Sequence, residues 1–176
     1  MAMKLFDYFV GQSVVLISRL PLADVEQRIN DATPPWYWPF ADGVRGWAWF
    51  GRVRLSYTVA WFFDYGAKPV LAGRLVDELG ATRLQAKYRA PASAYIFYAM
   101  WYFVLTSTVI SLLASWFDDK LEPGGWTLLP FIGIMLAAPL VMHFVFTRKS
   151  EDDLDAVLVF LANEAEFVAD INHLDR

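Results

Sequence analysis

Residues 90–117 read APASAYIFYAMWYFVLTSTVISLLASWF, and residues 123–147 read PGGWTLLPFIGIMLAAPLVMHFVFT. Neither stretch holds an Asp, Glu, Lys or Arg. Within them Tyr95–Trp116 and Trp126–Phe146, 22 and 21 residues, each reach roughly 30 Å as helices, the thickness of the hydrocarbon core of a bilayer. A chain of 176 residues has too few surrounding layers to bury two such helices on every side. The expectation is therefore a transmembrane hairpin over 94–147, with spans 95–116 and 126–146 and an outer loop over 117–125.

Composition points the same way. The chain is 57% hydrophobic and only 19% charged, and its mean hydropathy is +0.34, whereas soluble domains are about a quarter charged. So much apolar surface excludes disorder. The absence of cysteine excludes a disulfide scaffold, thiolate metal sites and cysteine nucleophiles.

Basic residues near the span ends set the expected orientation. Arg83, Lys87 and Arg89 precede the first span, Arg148 and Lys149 follow the second, and the loop between holds only Lys120 beside Asp118, Asp119 and Glu122. The positive-inside rule then places both termini in the cytoplasm and the short loop outside. Tyr95, Tyr98, Trp101 and Tyr102 would lie near the inner interface, with Trp116 and Trp126 near the outer one. The opening segment, broken by Asp7, Gly11 and Gln12, does not make a signal h-region. Charge divides the chain into a head (1–93) with 11 basic and 8 acidic residues, an outer loop with 1 and 3, and a tail with 3 and 8. A mildly basic head and an acidic tail on the same side should attract one another.

The head reads as mixed α+β. Ser13–Arg19 is rich in β-branched residues and predicts a strand. Leu22, Val25 and Ile29 recur at helical spacing over Leu22–Asp31, which must end before Pro34-Pro35. Pro34–Phe40, PPWYWPF, cannot form regular structure. Gly46–Val59 alternates, with Arg52 and Arg54 opposite Val53 and Leu55, and predicts one strand. Val70–Val76 and Ala81–Arg89 predict a hairpin around Asp77–Gly80, with Arg83, Gln85, Lys87 and Arg89 on one face of its second strand. That strand leads almost directly into the first span, which brings the sheet close to the bilayer.

A strand, a helix after a proline-marked turn, then "GRVRLSY", "KPVLAGRL" and "ATRLQAKYR" leading into a two-helix hairpin resembles a group of uncharacterised bacterial membrane proteins. The resemblance covers roughly residues 13–117. It implies an inner-membrane location with a small cytoplasmic α+β head, and it brings no activity and no functional residues with it.

In the tail (148–176), Ser150 can cap a helix whose first turns hold Glu151, Asp152, Asp153 and Asp155, where the helix dipole favours anions. Leu154, Leu158, Leu161, Ala165 and Val168 form one stripe, extended toward Asn172 and widened by Val157 and Ile171. This predicts a cytoplasmic amphipathic helix of about six turns. Its acidic polar face argues against lying on an anionic membrane. It either completes the head or docks another chain, with Leu154, Leu158, Leu161 and Val168 as interface candidates.

Residues with catalytic potential are sparse. There is no phosphate-binding loop, and the two histidines, His143 and His173, do not assemble a metal site or a Ser-His-Asp set. The acidic cluster at 151–155 is explained by capping and the dipole without a cation. Neither span contains an ionised side chain of the kind transport normally needs. His143, the one titratable imidazole in a span, is either an axial ligand for a haem or chlorin metal or a hydrogen-bonding group toward a neighbouring helix or the headgroups. No cofactor is otherwise implied, and no nucleic-acid partner.

Ser107, Ser111 and Ser115 repeat every four residues on the first span, and Gly133 and Ala137 do so on the second. Small residues at this spacing let helices approach closely, so they are the expected seam of the hairpin. Pro130 and Pro139 should bend the second span. Trp36, Tyr37, Trp38 and Phe40 form an aromatic loop, either a core plug or an anchor at the membrane or at a neighbour. The expected role is that of a non-catalytic accessory or assembly subunit of a larger inner-membrane complex, partnered by lipid and other membrane subunits. The alternative is a stand-alone membrane binding protein, such as an immunity factor against a membrane-acting toxin.

Overall fold

The computed structural model describes residues 5–34, 42–58, 68–117, 128–147 and 149–169. The chain divides into two compact units, Met1–Pro91 with Phe146–Arg176, and Ala92–Val145. The C-terminal segment belongs to the same unit as the head, as in the first of the two alternatives its stripe left open.

In the first unit, α1 (Leu5–Val10) and β1 (Gln12–Ser18) are followed by α2 (Leu22–Ala32), β2 (Gly43–Trp49), β3 (Arg52–Thr58), β4 (Val70–Glu78) and β5 (Ala81–Arg89). After the long helices come α5 (Ser150–Ala165) and β6 (Phe167–Ala169). The six strands form one curled antiparallel sheet in the order β2-β3-β4-β5-β1-β6. Period-two alternation sends Leu16, Ala48, Val53, Leu55, Leu71, Leu75, Leu84, Ala86 and Tyr88 to its inner face. There α2 contributes Val25 and Ile29, and α5 contributes Leu154, Val157, Leu161 and Ala165. Gly46 and Gly73 lie on this inner face, where a Cβ at either would run into the backbone of the paired strand, near Arg54 and Ala86 respectively. Only glycine allows so close an approach.

The expected single strand over Gly46–Val59 is two strands. Phe50 and Gly51 both take positive φ, 53° and 69°, and form a two-residue hairpin turn between the paired Trp49 and Arg52. A second such turn, Leu79-Gly80 at 55° and 90°, joins β4 to β5 within the region where a hairpin was expected.

Helix α2 is tied to the β2–β3 hairpin by side chains that bond backbone. The Asn30 amide donates to Ala48 O at 2.7 Å and accepts from Ala48 N–H at 2.9 Å, so it occupies backbone groups on edge strand β2 that would otherwise offer a template for further pairing. Glu26 accepts from the Gly51 N–H at 2.6 Å.

Helix α5 is shorter than the predicted six turns. Glu166 takes φ 55° and its N–H bonds Leu161 O, which ends the helix. Phe167 is then buried, opposite Ser18 on β1. Val168 therefore lies on a strand and is 65% exposed, not on the helical stripe. The start differs by one residue: Lys149 is the N-cap and makes no side-chain cap bond, while Ser150 is buried in the first turn.

The second unit contains α3 (Ala92–Phe117) and α4 (Leu128–Thr147), 26 and 20 residues. Both are long and apolar enough to cross a membrane.

Candidate functional site

Helices α3 and α4 face their surroundings with large apolar side chains in almost every direction. On α3 only Ala94 and Leu105 are buried, while Ile96, Met100, Phe103, Val104, Ile110 and Phe117 are exposed. On α4, Ile134, Leu140, Val141, Phe144 and Val145 are likewise exposed. Removing each such side chain from water is worth about 1.5–3 kcal/mol, so together they represent tens of kcal/mol of unburied apolar surface.

The seam between α3 and α4 differs from the small-residue seam expected. Ser107, Ser111, Gly133 and Ala137 are exposed and Ser115 is half-buried. A Cβ at Gly133 would meet nothing within 4 Å, and the Ser107 hydroxyl bonds back to Phe103 O at 2.8 Å. Contact runs instead through aromatic donors. Proline has no N–H, so Pro139 inside α4 leaves the carbonyl of Met135, one turn earlier, without its helical donor. The Trp101 indole N–H donates to that carbonyl at 3.0 Å, and the Tyr98 hydroxyl donates to Pro139 O at 3.4 Å. Freed backbone groups in apolar helices need such outside partners. Trp101→Phe is therefore expected to weaken the hairpin by about 1–2 kcal/mol, and Pro139→Ala should remove most of that penalty by restoring the helical donor. Thermal unfolding in detergent reads both, and an undiminished penalty in the Pro139→Ala background would contradict the assignment. Beside this seam lies an apolar groove of about 450 Å³ lined by Phe97, Trp101, Val104, Phe131, Ile132 and Met135 among others.

The first unit holds a buried polar cluster. Lys68 Nζ lies 3.5 Å from Asp153 Oδ2, with the two side chains 13% and 7% exposed. The same ammonium sits 5.9 Å from the Tyr57 ring centroid, within cation–π reach. Tyr88 is buried nearby, and burial together with the Asp153 charge pushes its phenol well above the ordinary tyrosine range. Asp153 is thus a core ion-pair partner, unlike Asp152 and Asp155, which are exposed as capping charges would be. No local pattern marks Lys68 in the sequence.

The stripe residues of α5 are core. Leu161, Val157 and Ala165 are fully buried, Leu154 is 7% exposed, and Leu158 packs partly buried against the same cluster. They are filled by the sheet and α2, so they are not a free docking face. Attraction between tail and head is carried by this apolar contact, by Lys68–Asp153 and by an exposed Arg28–Glu166 pair at 3.0 Å. The aromatic loop residues Trp36, Tyr37, Trp38 and Phe40 lie outside the described residues. His143 is half-buried on α4. Among the described residues no cluster of His, Cys, Asp and Glu fit to hold a metal is present.

The outer face of the sheet carries the remaining feature. Register places Trp47, Arg54, Ala72, Lys87 and Ser13 in one row, and Trp49, Arg52, Arg74, Gln85 and Val15 in the next. Arg52, Arg54, Arg74, Lys87 and Arg89 are all exposed. Among the described residues none of these five has a carboxylate within ion-pair distance. Arg83, at the far end of β5, pairs with Glu78 at 3.4 Å. Comparison with protein-family models, curated proteins and solved structures finds no match to this chain.

Proposed function

We propose that the chain is a two-pass protein of the bacterial inner membrane, with its head and both termini in the cytoplasm, and that it serves as a non-catalytic accessory or assembly subunit of a larger membrane complex. The observation that carries this reading is the outward exposure of α3 and α4. They bury few of their described side chains against each other and leave an open apolar groove at their seam. Lipid covers such a surface in part, and helices of neighbouring subunits fit the groove and the outward small-residue faces at Ser107, Ser111 and Gly133.

Two measurements test it. The chain lacks cysteine, so Lys120→Cys and Glu151→Cys give single probes; Glu151 is exposed where Ser150 is not. An impermeant thiol reagent on intact spheroplasts should label Lys120→Cys and reach Glu151→Cys only after permeabilisation. After gentle detergent extraction the protein should migrate in a particle containing other membrane proteins. Labelling of Glu151→Cys from outside would overturn the orientation, and migration as this chain alone would overturn the subunit role.

A further inference from the structure

We propose that the outer face of the sheet is a binding surface for anionic phospholipid headgroups, which it grips beside the point where the chain enters the bilayer. The inference rests on the membrane reading above. Its first support is charge. Five exposed cations from three adjacent strands share this face with no carboxylate of the described residues in ion-pair reach. A chain with net charge −4 has concentrated unneutralised positive charge on one side of one sheet, and such a surface is complementary to a negative one.

The second support is where the charge lies along the strands. The β4–β5 hairpin carries Asp77 and Glu78 beside its turn and Lys87 and Arg89 at the end that continues into α3. By chain length alone Arg89 lies within about 10 Å of the first residue of α3, and Lys87 within about 17 Å. That is one to two Debye lengths at physiological salt, roughly 8 Å each. Basic residues this close to a span sit in the negative surface potential of an anionic leaflet, the same leaflet the positive-inside rule assigns them. The third support is the aromatic border. Trp47 and Trp49 pair in register with Arg54 and Arg52 and are 42% and 61% exposed, and indole rings favour the headgroup level. Soluble polyanions share the charge but not this tether or the tryptophans, so lipid is the occupant the observations favour.

The test uses the full chain in vesicles. Ser13→Cys places a probe in the cationic row, opposite Lys87, and Asn163→Cys places one on the exposed side of α5. After reconstitution an impermeant dye labels outward heads, and a trace of headgroup-spin-labelled lipid quenches dye close to the membrane. Quenching of Ser13→Cys is expected to be at least about three-fold stronger in an equal mixture of phosphatidylcholine and phosphatidylglycerol than in phosphatidylcholine alone, and to fall with added salt. Combining Arg54→Gln, Arg74→Gln, Lys87→Gln and Arg89→Gln should abolish the difference, and Asn163→Cys should show none. Equal quenching in both lipids by a chain that resists alkaline carbonate extraction would overturn the proposal and leave the membrane reading standing. Protection of Ser13→Cys by a soluble oligonucleotide, without a phosphatidylglycerol effect, would overturn it in favour of another partner. Release of the chain by carbonate would overturn both readings.

Discussion

Deleting residues 150–176 is expected to unfold the head, not merely to free it from a partner. The deletion takes Leu154, Val157, Leu161, Ala165 and Phe167 out of one continuous core and exposes the inner faces of β3 and β2 that α5 covers. Truncating one buried leucine to alanine costs about 2–5 kcal/mol, and a whole domain is stable by only about 5–15 kcal/mol, so losing five core residues exceeds what the head has. It also removes β6 from the edge of β1, together with the Ser18 hydroxyl bond to Ala165 O at 2.6 Å. Limited tryptic proteolysis should leave Arg74 and Lys87, within β4 and β5, uncut in the full chain and cut them rapidly in the truncated one. Leu161→Ala, at about 3 kcal/mol, should give a folded but clearly destabilised head. A truncated chain whose head kept its protease resistance would mean that α5 rests on the core without completing it.

The tail shows what the sequence makes legible and what it hides. The stripe Leu154, Leu158, Leu161, Ala165 is plain in the pattern, and so is a helix beginning near Ser150. What covers the stripe is a tertiary fact with no local signature, and the switch at Glu166 from a 3.6 period to a 2 period falls where Val168 fits either. The hairpin turns divide in the same way. Leu79-Gly80 follows two acidic residues and ends in glycine, and the turn is readable. Phe50-Gly51 interrupts an alternating run without the Asn-Gly or Asp-Gly pair that usually marks this turn, and Trp49 and Arg52 on either side continue the alternation. The two apolar helices are evident from composition alone, because length and absence of charge suffice. Their seam is not, because the small-residue spacing of Ser107, Ser111 and Ser115 marks a face without saying which helix meets it. The signal available was Pro139. A proline in a long apolar helix frees the carbonyl four residues back, and a Trp on the neighbouring helix is a donor able to reach it. On the head, alternation alone grouped Arg83, Lys87 and Arg89 on one face; that Arg52, Arg54 and Arg74 join them depends on strand register.

Asp153→Asn is expected to be the most damaging single charge substitution in the tail, though the sequence shows Asp153 as one acid among four near a helix start. Asp152 and Asp155 are exposed, so their charges interact with the dipole and solvent at a few tenths of a kcal/mol. Asp153 is 7% exposed and faces an ammonium that is 13% exposed at 3.5 Å. Breaking a buried ion pair by removing one of its charges costs about 3–5 kcal/mol. The Tyr57 ring, 5.9 Å from the ammonium, stays beside Lys68 and offsets part of this. The expected order in a urea titration of the detergent-solubilised chain, followed by tryptophan fluorescence, is wild type close to Asp152→Asn and Asp155→Asn, with Asp153→Asn unfolding far earlier. Replacing both charges, Lys68→Met with Asp153→Leu, should recover most of the loss, since two apolar groups of similar volume avoid the desolvation that the ion pair must overcome. That recovery separates a buried structural pair from a residue needed for its carboxylate itself: a double variant that folds as well as wild type would leave the pair a structural role. A midpoint for Asp153→Asn equal to that of Asp152→Asn would mean that the Lys68–Asp153 pair does not hold α5 to the sheet.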